Sequence, residues 1–146
     1  MKSLFETESL TEIKDRLNSL TSESERKWGK MDVGQALHHC QQPLNISLGK
    51  INLKKQFFPL AFLFKKSLYN DKPWRQNLPT AKSFKISENK NFETERAELE
   101  KLVDEFHTKK NKTQWDPHPL FGKFTPQQWG QMQYKHLDHH LKQFGA

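Results

Sequence analysis

Apolar residues recur at helical spacing in four separate stretches of the chain, and no segment alternates with period two over a useful length. Leu10, Ile13, Leu17 and Leu20 mark the first, and Ser9 with Glu12 reads as the capping box that opens it. Asp32 starts the second, where Val33, Ala36, Leu37, Cys40, Leu44 and Leu48 form one stripe over residues 33–48 and the internal Pro43 predicts a kink. Asn91 caps a helix from Phe92 to about Lys109, whose buried face is Leu99, Leu102, Val103 and Phe106. Acids crowd its early turns, where the helix dipole favours them, and His107 serves as a structural residue at its C-terminal end. The last helix is predicted over 126–144. Thr125 is its N-cap, Pro126 sits in the first turn where a missing N–H costs nothing, Gln128 completes a capping box and Gly145 closes it.

The connections are less regular. Pro59 fits the first turn of a short helix reaching about Tyr69, within the apolar run Phe57 to Phe64. That run has eight residues, far short of the roughly 20 a bilayer span needs, so it is expected in the core or in a homodimer contact and not in a membrane. Residues 70–91 hold Pro73, Pro79, Asn70, Asn77 and Asn89 with little periodicity and read as a long loop. Trp28, in a polar connection with Gly29, is expected to pack back onto the core. Before the last helix, two prolines and a glycine fix an irregular path that would bring Trp115, His118 and Phe121 to line a cavity. Four main helices and a short one predict an all-α fold. It is read as an antiparallel four-helix bundle with a long loop, a single domain over residues 1–146.

Composition narrows the chemistry. Only 34% of the 146 residues are hydrophobic, yet there are eleven Phe and four Trp, so a few large side chains must carry the burial. The single cysteine, Cys40, excludes an internal disulfide and any multi-cysteine metal site. The net charge of +7 is concentrated in residues 50–90, where ten basic residues face two acids. No groove-reading or base-stacking motif accompanies them, so a solvated surface without specific nucleic-acid binding is expected, and a basic interaction module ranks below it. The first residues lack an apolar signal-peptide core, which predicts a cytoplasmic protein.

Candidate chemistry lies with the histidines. On the last helix, Trp129, Met132, Gln133, His136, His140, Gln143 and Phe144 share one face, with Gln131, Lys135, Asp138 and Lys142 opposite. His136 and His140 are one turn apart, the spacing that lets two imidazoles reach one metal ion from a single helix. Inward histidines are also common as hydrogen-bonded core residues, and a mononuclear site needs a third protein ligand. On the second helix His39 falls in the arc with Ala36, Pro43 and Ile46, whereas His38 points away, so His39 is the candidate and His118 the reserve. Gln143 and Asp138 are candidate acceptors for the other ring nitrogens.

The strings MDVGQALHHC and HLDHHLKQ resemble the DinB/YfiT-like superfamily of metalloenzymes. NLPTA, HPLFGKFTPQQWGQ and KHLDHHLKQFG are similar to an uncharacterised branch of it, a domain of unknown function. Where many members carry Trp at the start of the second helix, this chain has Met31. The resemblance implies metal ligands at His39, His136 and His140, a divalent ion such as Zn²⁺ or Ni²⁺, and an enzyme of the transferase or hydrolase kind. Its small-molecule substrate would be a low-molecular-weight thiol. The alternative is a non-catalytic helical binding protein, either stapled by a metal or metal-free.

Overall fold

The structure, a computed structural model, describes residues 1–55, 61–79 and 82–146. Its regular elements are helices: α1 (Thr7–Ser19), α2 (Val33–Ser47), α3 (Ala61–Lys65), α4 (Phe92–Thr108) and α5 (Pro126–Gln143). Short 3-10 turns cover Lys66–Leu68 and Lys82–Phe84, and among the described residues the only β pairing is an isolated bridge between His118 and Gly122. The fold is all-α. No helix among the described residues is long and apolar enough to cross a membrane.

Three of the four long helices begin as their capping residues dictate. Asp32 accepts from the Gln35 backbone N–H and Gln35 reciprocates, Asn91 accepts from the Thr94 N–H, and Thr125 and Gln128 form the same reciprocal box ahead of Pro126. α1 differs. Its N-cap position is Glu6 and carries no side-chain cap, while Ser9 lies inside the helix, buried, with its hydroxyl donating to Glu6 Oε2 at 3.0 Å. The start moves because the preceding segment is anchored elsewhere: the Leu4 N–H donates to Gly130 O on α5 at 3.0 Å and Leu4 is fully buried.

α2 packs on α4 and α5, and α1 packs on the same two helices. Residue pairs set the directions. His39 meets His136, and Pro43, a turn further along α2, meets Gln133, a turn earlier on α5, so these helices are antiparallel. By the same reading α1 and α5 run parallel, Glu12 meeting Tyr134 and Arg16 meeting Asp138, and so do α2 and α4, through Gln41 with Glu95 and Lys50 with Glu105. Strict alternation of neighbours needs short loops. Here the connection over residues 48–91 is long enough to cross the length of the molecule and bring α4 back parallel to α2.

Ile13, Leu17, Leu44, Leu99, Leu102, Val103, Phe106 and Leu137 fill the space between the four long helices without exposure to solvent beyond a trace. α2 runs through Pro43 unbroken. Two placements differ from the pattern. Lys135, assigned by its helical angle to the solvent face, is buried because its ammonium donates to Ser67 O, Asn70 O and Asn70 Oδ1 at 2.6–2.9 Å, capping carbonyls of the loop that covers α5. Phe62, Leu63 and Phe64 of α3 are exposed by 70%, 59% and 52%, so only Ala61 of that helix enters the core. Pro59 and Phe57, on which the start of that helix was predicted, lie outside the described residues.

Candidate metal centre

His39 comes from the second turn of α2, and His136 and His140 from consecutive turns of α5. Their ring centroids form a near-equilateral triangle with sides of 5.0, 4.8 and 4.8 Å. One nitrogen from each lies within 4.8 Å of the others, and His136 Nε2 is 3.1 Å from His39 Nε2. What holds the helices in this register is Gln133, fully buried one turn before His136. Its Nε2 donates to Pro43 O at 2.9 Å and to Ser47 Oγ at 3.3 Å, pinning α2 one turn beyond His39.

The protonation of two of the rings follows from their partners. A backbone carbonyl only accepts, so Phe84 O, 3.0 Å from His39 Nδ1, requires the proton there and leaves the Nε2 lone pair free. Gln143 does the same for His140 through a chain of two bonds. Its Nε2 must face Trp28 O, at 2.8 Å, so its Oε1 faces His140 Nδ1, at 2.9 Å, and accepts a hydrogen bond from the Nδ1–H. His140 Nε2 is then the free lone pair. His136 Nδ1 is buried without any hydrogen-bond partner. Of the two candidate acceptors, Gln143 takes the role; Asp138 is held by Arg16 and Lys142 instead.

All three imidazoles are kept neutral. Burial lowers the His39 pKa, burial and the neighbouring His140 and His39 lower that of His136 well below the ordinary range, and burial with His39 takes His140 down to about 3. Neutral imidazole is the ligating form. Nitrogens sharing one zinc ion at about 2.0–2.1 Å stand roughly 3.3 Å apart in tetrahedral geometry. The His39 and His136 nitrogens already have that separation and the third lies near enough for side-chain rotation to close the set, so these residues fit a divalent ion.

His38 lies apart, donating from Nδ1 to Glu95 Oε2 at 2.8 Å on α4. His118 is not in the cluster either. It is buried against Phe121, Phe124 and Trp129, with Nδ1 accepting from the Leu120 and Phe121 backbone N–H groups. Trp115 and Phe121 join the same aromatic packing and do not line the cavity beside the histidines. The reason is position along α5: their loop folds over Trp129, ten residues or about 15 Å of helix before His139.

That cavity, of about 430 Å³, opens at the C-terminal end of α5, where His139, His140 and Gln143 form one wall and Trp28, Met31, Asn77 and Ile86 contribute to the others. The long loop therefore does supply part of the wall. Trp74 roofs the centre, its ring edge-on to His136 and His139 at 5.9 and 5.5 Å and its indole N–H donating to Ser67 O. Neither Trp74 nor His139 stood out as a site residue in sequence: Trp74 lies in the loop without a period, and His139, though on the last helix, falls off the face that His136 and His140 share. Gly29 carried a faint signal. With φ of +83° and a Cβ position only 2.5 Å from Gln143 Nε2, a side chain here would strain the turn and push the Gln143 amide away from the Trp28 carbonyl.

A family model described as a protein of unknown function, DUF1569, matches residues 2–146. The chain belongs to the DUF1569 family. Nothing matches it among curated proteins or among solved structures. Since the DUF1569 match takes in α1 to α5, the histidine triangle and the cavity lie within the family domain.

Proposed function

We propose that this DUF1569 chain is a metal-dependent enzyme, in which His39, His136 and His140 hold a divalent ion and the cavity beside His140 admits a small molecule. The observation that carries the reading is the pair of fixed tautomers, Phe84 O and Gln143 Oε1 each leaving an Nε2 lone pair free in a cluster where one nitrogen of each histidine lies within 4.8 Å of the others. The closed ring of helix contacts, α1 to α4 to α2 to α5 and back, supports a four-helix bundle of the DinB/YfiT-like kind. A divalent ion bound by three neutral imidazoles keeps its full charge and supplies acidification of a thiol or water near neutral pH. The chain's own part is to exclude water with Trp74, to orient His39 and His140 through their Nδ1 protons, and to receive the substrate against Trp28 and Met31. A low-molecular-weight thiol as substrate rests on the family resemblance.

A second reading is a metal-free or metal-stapled binding protein. The 3.1 Å approach of His136 Nε2 to His39 Nε2 favours the metal-free form, since one proton between them satisfies both nitrogens without an ion. Metal analysis of the purified protein separates the metal centre from the metal-free form. About one equivalent of zinc or nickel is expected, lost in His39→Ala and His136→Ala and kept in His38→Ala. Gln143→Leu should retain the site with affinity lowered about 10- to 100-fold, the usual cost of losing a partner behind a metal-ligating histidine. Wild-type protein that takes up no ion from solutions of either metal, or equal losses in His38→Ala and His39→Ala, overturns the reading.

A further inference from the structure

Lys30 and Lys85 both line the cavity beside His140, and among its described lining residues there is no Asp or Glu. Both lysines are exposed, and neither has an ion-pair or side-chain hydrogen-bond partner among the described residues. Their neighbours behave differently: Lys90 pairs with Glu88, and Asp32 spends its carboxylate on the N-cap of α2. Trp28, Met31, Leu78 and Ile86 give the wall its apolar part, with Leu78 left 47% exposed, and Asn77, Ser87, His139, His140 and Gln143 add neutral polar groups. Two unneutralised cations lining a cleft without a carboxylate raise the local concentration of anions, and the apolar part of the wall strengthens each contact.

We propose that this cavity binds a small organic anion, with a carboxylate or phosphate head held by Lys30 and Lys85 and an apolar body lying against Trp28 and Leu78, its far end reaching His140. The inference deepens the enzyme reading and rests on it for the meaning of the cavity, but anion capture by the lysines needs no ion at the histidines. Lys30 lies next to the Gly29 turn that Gln143 holds, and Lys85 follows Phe84, whose carbonyl orients His39. Head-group recognition is thus built on the two segments that also orient the histidines.

The test is equilibrium binding of 2-naphthoate, 2-naphthyl phosphate, neutral 2-naphthylmethanol and cationic 2-naphthylmethylamine, read by ligand fluorescence in metal-loaded and chelator-treated protein. At least one anion should bind about tenfold or more tighter than the neutral and cationic probes, with and without metal, since charge-assisted contacts of this kind are worth that factor. The better of the two anions identifies the head group. Lys30→Gln/Lys85→Gln should abolish the preference while metal content stays unchanged. A preference that survives in the double variant, that appears only with metal present, or that is missing altogether overturns the proposal. Metal uptake with no anion preference sinks this inference and leaves the metal centre standing; anion preference in protein that takes up no metal does the reverse.

Discussion

His118 shows how one side chain ties burial to pH. Burial, with a smaller contribution from Lys65, lowers its pKa from 6.5 to about 4. In the unfolded chain the ring titrates near its ordinary value, so as pH falls through 6.5 the unfolded state takes up the proton first. Stability from this group is complete above about 6.5 and drains away as pH falls toward 4. Between pH 7 and pH 4.5, urea unfolding of the wild type should lose about 2 to 3 kcal/mol more than His118→Asn, whose amide oxygen can accept from the same Leu120 and Phe121 N–H groups. Equal losses in the two proteins would place the acid sensitivity elsewhere. At the same scale, helical angle separated His39 from its neighbour His38, because the two differ by one step of about 100°. It failed for Lys135, whose long stem lets the ammonium reach loop carbonyls that no wheel contains.

Among the elements, α5 organises the rest. Its N-terminal half carries Gly130 under the first residues of the chain, its middle carries Gln133 against α2, and its C-terminal turns carry the histidines. A Cβ built on Gly130 would stand 2.2 Å from Ser3 Oγ and 2.6 Å from the Phe5 ring, so the N-terminal segment must lift if the residue grows. Gly130→Ala should therefore destabilise the fold by about 1–3 kcal/mol, against the small gain alanine normally brings to a helix interior. Thermal unfolding reads this directly, and an unchanged or raised midpoint would mean the Leu4 anchor contributes little. Caps and periodic stripes announced α2, α4 and α5 to within a residue or two. The start of α1 shifted to Glu6 because a tertiary anchor, Leu4 on Gly130, outweighed the local capping signal at Ser9.

For the molecule as a whole, the basic excess of residues 50–90 is spread across separate duties. Lys50 pairs with Glu105, Lys65 donates to Lys123 O beneath its contact with Phe124, and Lys85 stands at the cavity. A divided charge of this sort attracts nucleic acid only through counterion release. Fluorescence anisotropy should find weak binding to duplex DNA at low salt, with no sequence preference and none left at physiological salt. Sub-micromolar, sequence-dependent binding under those conditions would contradict this.

What the sequence determined alone is the local and the periodic: an all-α chain, three of its four long helices with their caps, and the three histidines that face inward, since one turn of helix is a distance sequence spacing measures. Tertiary structure decided whatever depends on segments far apart in the chain. Phe84 O against His39 and Trp28 O against Gln143 span 45 and 115 residues, and these contacts set the tautomers of the site. The parallel neighbours α2 and α4, the Trp74 roof, and the two lysines beside the cavity follow from the path of the long connection, whose sequence carries no period to read.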